Sequence, residues 1–230
     1  MNTQVDARAV SPGAEPQRYY DYCRRYLPEL FRLEQLISVH EQHLRIDVVT
    51  QVVSENQVLP VYALRLGSRA AEAPVIGFVG GVHGVERIGS QILLVFLENL
   101  CRRLQWDTGL QEELKHVRLV FLPLLNPVGM AKGWRSNGNG VDLMRNAPLD
   151  ARDDPAWMLG GQRVSHHLPW FRGAEGEPMQ PEAMALCTWV EQQLFPADFS
   201  LVLDVHSGFG VRDRLWFPYA GSREPLEHLA

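Results

Sequence analysis

The sequence predicts an α/β fold, a mixed and mostly parallel sheet with helices on both faces. Three observations carry this expectation. Short apolar runs, of the kind buried on both faces of a sheet, stand at Val75–Val79, Val117–Leu125 and Leu201–Val205. Helical patterns separate them, at Ile88–Leu104 and again from Pro181 onward. A chain of 230 residues fits one α/β domain, which at this size buries enough surface to need no covalent staples.

Residues 1–15 read as a flexible leader and 16–230 as a single domain. The first helix begins near Pro16 or Gln17. Tyr22, Tyr26, Leu30, Leu33 and Ile37 recur at three- and four-residue spacings, which predicts an amphipathic helix over Tyr19–Ser38. Leu44–Val53 and Val58–Leu66 flank the polar turn Ser54-Glu55-Asn56-Gln57 and predict a hairpin. Val75–Val79 ends in Gly80-Gly81, and the helix Ile88–Leu104 leads to the run Val117–Leu125. Leu149–Gln180, rich in Gly, Pro and charge, predicts a long surface loop, a feature often tied to function. Pro181 opens the next helix where a missing N–H costs nothing, and Glu182 suits its positive end. Leu201–Val205 leads into His206, and Leu215–Tyr219 is a candidate further strand.

Composition narrows the function classes. A hydrophobic fraction of 46% is ordinary for a globular protein. The net charge is −5 and the basic residues are scattered along the chain, which argues against a nucleic-acid partner. Cys23, Cys101 and Cys187 lie far apart without CxxC spacing, as reduced, buried cysteines do. The first residues show no apolar core after a basic stretch, and no run is long enough to cross a bilayer. The expectation is a cytoplasmic protein with neither a membrane nor a nucleic-acid partner; these features leave its oligomeric state open.

Gly80-Gly81-Val82-His83-Gly84-Val85-Glu86 sits where a buried strand gives way to a helix, the place where open α/β sheets bind ligands. Imidazole nitrogen and carboxylate oxygen are both normal zinc ligands, though an HxxE string alone is a weak signal. Leu203-Asp204-Val205-His206-Ser207-Gly208 places a second His at a strand end, where a lone His is commonly structural. Together His83, Glu86 and His206 make two His and one Glu, the ligand set of a catalytic zinc site with its fourth position open.

Asn126-Pro127-Val128-Gly129, Trp134-Arg135-Ser136-Asn137 and Gly140-Val141-Asp142-Leu143-Met144-Arg145-Asn146 follow the next buried strand. In order, HGVE, NPVG, WRSNGNGVDLMRNAP and DVHS resemble the M14 zinc carboxypeptidase family, with its HxxE, NPDG, Arg, GVDLNRNF and DxHS. Gln180-Pro181-Glu182 resembles the family's EPE. The likeness runs from about Val75 to Tyr219. It implies a metallocarboxypeptidase-like domain holding one Zn2+ on His83, Glu86 and His206. It also implies that Arg135 stabilises the oxyanion, that Arg145 and Asn146 bind the substrate carboxylate, and that Asp142 orients His83. The plainer alternatives are surface arginines at 135 and 145 and a turn cap at Asp142.

Two departures qualify the likeness. Met144 stands where the family has the Asn before the gripping arginine, and Val128 replaces the Asp of NPDG. The family's late general-base Glu has no counterpart in context here, since Glu224 and Glu227 fall in a helix-like pattern. The expectation is therefore a chain whose C-terminal part is missing, or a relative without its base. The implied function is zinc-dependent hydrolysis of an amide beside a free carboxylate, on a peptide or acyl-amino-acid. The alternatives are a small-molecule deacylase of the succinylglutamate desuccinylase or aspartoacylase type and a non-catalytic zinc and carboxylate binder. His40-Glu41-Gln42-His43 has the wrong spacing for HExxH. His166-His167 lies in the long loop, and Ser207 lacks a nucleophile elbow.

Overall fold

The structure, a computed structural model, describes residues 16–150, 152, 160–208, 211, 212, 214 and 215. The periodic stretch at the start forms two helices rather than one, α1 (Pro16–Tyr26) and α2 (Pro28–His40). Pro28 has no N–H to donate into the preceding turn and forces Leu27 out of helical geometry, to φ −140°. Both helices keep their apolar stripe against the sheet, so the spacing persists through the break.

The hairpin is β1 (Arg45–Ser54) and β2 (Gln57–Gly67). Its turn residues Glu55 and Asn56 both take positive φ, 49° and 64°, the backbone twist that matches a tight antiparallel pair. Then come β3 (Val75–Gly80), α3 (Arg87–Arg103), α4 (Thr108–His116), β4 (Arg118–Leu122), α5 (Pro127–Lys132), α6 (Pro181–Gln193) and β5 (Ser200–Val205). The periodicity left α4 and α5 unread because each is short. Their side-chain caps were the available signal: Asp107 accepts from Leu110 N–H and Asn126 from Gly129 N–H.

The described strands form one sheet in the order β1-β2-β4-β3-β5. β1 and β2, and β2 and β4, pair antiparallel, whereas β3 pairs parallel with both β4 and β5. Four strands thus point one way and β2 opposes them: a mixed, mostly parallel sheet. Alternation along β4 sends Phe121 to one face and Val120 and Leu122 to the other. Phe121 joins Leu30 and Leu33 of α2 and Leu94 and Leu97 of α3. Val120 and Leu122 join Val61, Val79 and Trp189 of α6.

One apolar run departs from expectation. Leu201–Val205 reads as buried, yet β5 is an outer strand and its Leu201 and Val202 are each 38% exposed. Among the described residues no strand pairs with its outer edge. α3 likewise carries a second apolar stripe (Ile88, Ile92, Val95, Phe96) that lines an open groove of about 690 Å³ beside Pro28 of α2. Residues 216–219 of the further candidate strand lie outside the described residues. No described helix is long and apolar enough to cross a membrane.

Phe121 tests the two-faced core. It is fully buried and its ring stacks on Phe78 at 4.9 Å between centroids. Phe121→Ala is expected to cost about 3–5 kcal/mol in urea unfolding, and Leu201→Ala on the half-exposed β5 far less. A Leu201 effect equal to that of Phe121 would contradict this layering.

Candidate metal centre

β3 and β5 run side by side with Gly80 opposite Val205. The chain leaving each strand therefore rises at the same end of the sheet, carrying His83 on one segment and His206 on the other. Glu86 stands just before α3, as its N-cap residue. One ligand atom from each of His83, Glu86 and His206 lies within 4.8 Å of the others, the one such group among the described residues. His83 and Glu86 are 1% and 8% exposed.

Two glycines permit this approach. A Cβ on Gly84 would fall on the backbone of Gly129, and one on Gly89 would fall on the carbonyl oxygen of Val205. The glycines of HGVE and NPVG thus touch, and the first turn of α3 rests on the end of β5. Asn126, wholly buried, ties the same loops: its amide donates to the carbonyls of Val82 and Ser136 while its oxygen caps α5. The motif displayed this Asn, but its role as a three-way tie needed the fold.

The histidines are oriented by carboxylates. His83 Nδ1 lies 2.9 Å from Glu86 Oε1 and its Nε2 3.2 Å from Asp142 Oδ1. His206 Nδ1 lies 2.9 Å from Asp204 Oδ1, a neighbour within DVHS to which sequence reading gave no role. Ser207 N–H donates to Glu86 Oε2 at 2.7 Å. Burial alone pushes His83 down, but its bonds to Asp142 and Glu86 outweigh that and hold the imidazole above its ordinary value. Burial pushes Glu86 up, and His83, the Ser207 N–H and His206 together bring it below the usual carboxylate range.

Asp142 is the hub beside them. It is 2% exposed and also accepts from Arg135 Nε (3.2 Å), Arg145 Nη1 (2.8 Å) and Met144 N–H (3.2 Å). Burial would raise its carboxyl, yet His83 and the two arginines hold it at about 2. Arg135 spans the group, with Nη1 3.5 Å from Glu86 Oε1. Arg145 also lies over the Trp170 ring, 5.6 Å from its centroid. Both ends of the Asn146 side chain meet backbone: its oxygen accepts from Gln180 N–H and its amide donates to the Arg172 carbonyl. The 134–146 segment is pinned to the start of α6, where Asn137 donates to the buried carboxyl of Glu182. Asp142 N–H donates to Phe171 O, so part of the long loop packs on this segment.

The residues suit a zinc ion: two imidazoles and a carboxylate are its ordinary donors. The buried Nε2 of His206 has no hydrogen-bond partner, as a nitrogen meant for a metal would.

The zinc carboxypeptidase family profile matches residues 30–228. The chain belongs to the zinc carboxypeptidase family. Carboxypeptidase SOL1 of Arabidopsis thaliana is 27% identical over 172 residues, covering 74% of this chain and 30% of that protein. The catalytic chain of carboxypeptidase N of Rattus norvegicus is 30% identical over 176 residues, covering 70% of this chain and 36% of that one. The chain therefore spans about a third of the length of these carboxypeptidases. Bovine thrombin-activatable fibrinolysis inhibitor, solved in complex with tick carboxypeptidase inhibitor, matches the fold with a TM-score of 0.63 at 19% identity, covering 91% of this chain and 68% of that one.

Removing the hub carboxylate should be costly even without metal. Asp142→Ala leaves a buried His and two arginines without their shared acceptor, and a loss of roughly 3 kcal/mol is expected in urea unfolding. An unchanged midpoint would show that the arginines do not depend on Asp142.

Proposed function

We propose that the chain forms the zinc-binding part of a hydrolase that cleaves an amide bond beside a free carboxylate. The observation that carries this reading is the convergence of His83, Glu86 and His206 to within 4.8 Å in a carboxypeptidase fold. When bound, the ion supplies a Lewis acid for the scissile carbonyl and acidifies water. The chain's own residues do the rest. Glu86, His83 and His206 hold the ion, and Asp142 and Asp204 fix the two imidazoles. Arg135, whose side chain is 41% exposed beside Glu86, offers a fixed cation where negative charge develops on the carbonyl oxygen. Arg145 presents a planar fork that matches a carboxylate. Asn146, expected beside Arg145 on the substrate carboxylate, has both ends of its side chain on backbone, and on this reading it shapes the segment that carries Arg145 instead.

Proton transfer is the step these residues serve least. The carboxylates hydrogen-bonded into the cluster, among the described residues, are Glu86, Asp142 and Asp204, each engaged with a histidine. A positioned general base contributes about 10²–10⁴-fold. On this reading the described residues bind zinc and by themselves hydrolyse amides slowly. A second reading uses the same residues in a small-molecule N-acyl-amino-acid deacylase; in either case half-exposed Met144 leaves the grip on a substrate carboxylate to the Arg145 guanidinium.

Equilibrium dialysis should find one zinc per chain, lost in His83→Ala, Glu86→Ala. Equal metal content in both proteins would sink the site. On a panel of C-terminally free peptides and N-acyl-amino-acids, turnover should be weak and chelator-sensitive, and the better substrate class decides between the two readings. Where turnover is measurable, Arg145→Ala should raise KM and Arg135→Ala should lower kcat; the reverse pattern would exchange their roles.

A further inference from the structure

The other end of the sheet gathers four arginines from three separate stretches of the chain. Arg45 opens β1, Arg65 stands directly across from it on β2, and Arg118 opens β4 opposite Gly67. Strand parity puts all three on the α6 face, and Arg69 joins them from the loop after β2. With His43 and Ser68 they line a recess of about 130 Å³. The ligand set His83, Glu86 and His206 stands beyond the opposite ends of β3 and β5, roughly 17 Å away along a six-residue strand.

This arrangement breaks a local rule of sheet pairing. Like charges directly opposite on antiparallel strands repel, and Arg45 and Arg65 are such a pair. Asp47 pairs with Arg65 at 2.7 Å. Arg45 and Arg69 form no ion pair among the described residues. Arg118 is 7% exposed and donates to the carbonyls of Ala70, Ala71 and Gln193, so it is fixed in place. The Nε–H groups of Arg65 and Arg118 are buried without an acceptor, a costly condition in a folded protein. Burial, and then the nearby Arg69 and Arg65, hold the Arg45 guanidinium below its ordinary value. Burial and Arg65 do the same to Arg118, with Glu72 opposing them.

We propose that this recess binds a compact oxyanion, a phosphate or sulfate group, at a site separate from the metal centre. Its dimensions admit one small anion, and a local excess of guanidinium forks matches several oxygens better than a single carboxylate would. Asp47 and Glu72 offset only part of the positive charge, and the bound anion would relieve the repulsion between Arg45 and Arg65.

The test is calorimetric titration of the metal-free 1–230 chain with inorganic phosphate at low ionic strength, against chloride of equal ionic strength. Saturable phosphate binding is expected, weakened about tenfold or more in Arg45→Gln, Arg69→Gln. Arg118 stays in place because it holds the adjoining loop. Arg69→Gln alone, at an exposed loop position, should show part of the loss without risk to the fold. Arg145→Gln, at the opposite end, should bind phosphate as the parent does. A phosphoserine peptide titrated the same way distinguishes a free anion from a peptide-borne one, and either binding supports the site. The proposal fails if chloride reproduces the heat, if the double variant binds as the parent does, or if Arg145→Gln abolishes binding.

Discussion

The parallel, in-register pairing of β3 with β5 is the constraint on which the candidate metal centre rests. With Gly80 opposite Val205, His206 stands one residue past its strand and His83 three past the neighbouring one. A slip of one residue would send His206 to the opposite face of the sheet. The register is held by more than the strand ladder. The first turn of α3 fits onto the end of β5 because Gly89 has no side chain, and the His83 loop fits onto α5 because Gly84 has none. Substituting either glycine would lift one ligand segment away from the other while leaving the ligands themselves in the sequence.

Register alone would bring together two imidazoles and a glutamate, and the two arginines of the 134–146 segment would join them with nothing to order the group. Asp142 supplies that order. A buried carboxylate is expensive unless nearly every lone pair is engaged, and Asp142 engages His83, both arginines and a backbone N–H. The same group therefore sets the His83 ring and brakes the arginines. Arg135 is held more loosely than Arg145, at 3.2 Å against 2.8 Å and with a more exposed side chain. Two cations on one carboxylate thus differ in how readily they turn toward another anion.

Much of this was legible in the sequence, and the failures have definite causes. The hairpin showed in its polar turn and flanking β-branched runs, and β3 and β4 showed as apolar runs because both are covered on two faces. β5 has the same composition but is the outer strand among the described residues, and an apolar run does not state what covers it. Pro28 was visible, yet the apolar spacing continues through it, so periodicity read one helix where backbone chemistry makes two. The three metal-binding candidates stood out through order and motif, whereas Asp204 and Asn126 did not, because orienting a ligand is a property of neighbours in space. The arginines illustrate the same limit: scattered along the chain, they meet only because β1, β2 and β4 begin or end at one edge.

The two ends of the sheet are thereby opposite in character. One collects carboxylates and imidazoles with two arginines, the other mainly guanidinium groups, and neither collection would form in water without the apolar layers between them. Their separation, roughly 17 Å along β3, exceeds a Debye length of about 8 Å at physiological salt. The low carboxyl of Asp142 must then come from its immediate partners, His83, Arg145 and Arg135, and not from the distant arginines. Each cluster is set by the side chains that touch it, and the sheet's part is to hold those side chains at fixed positions.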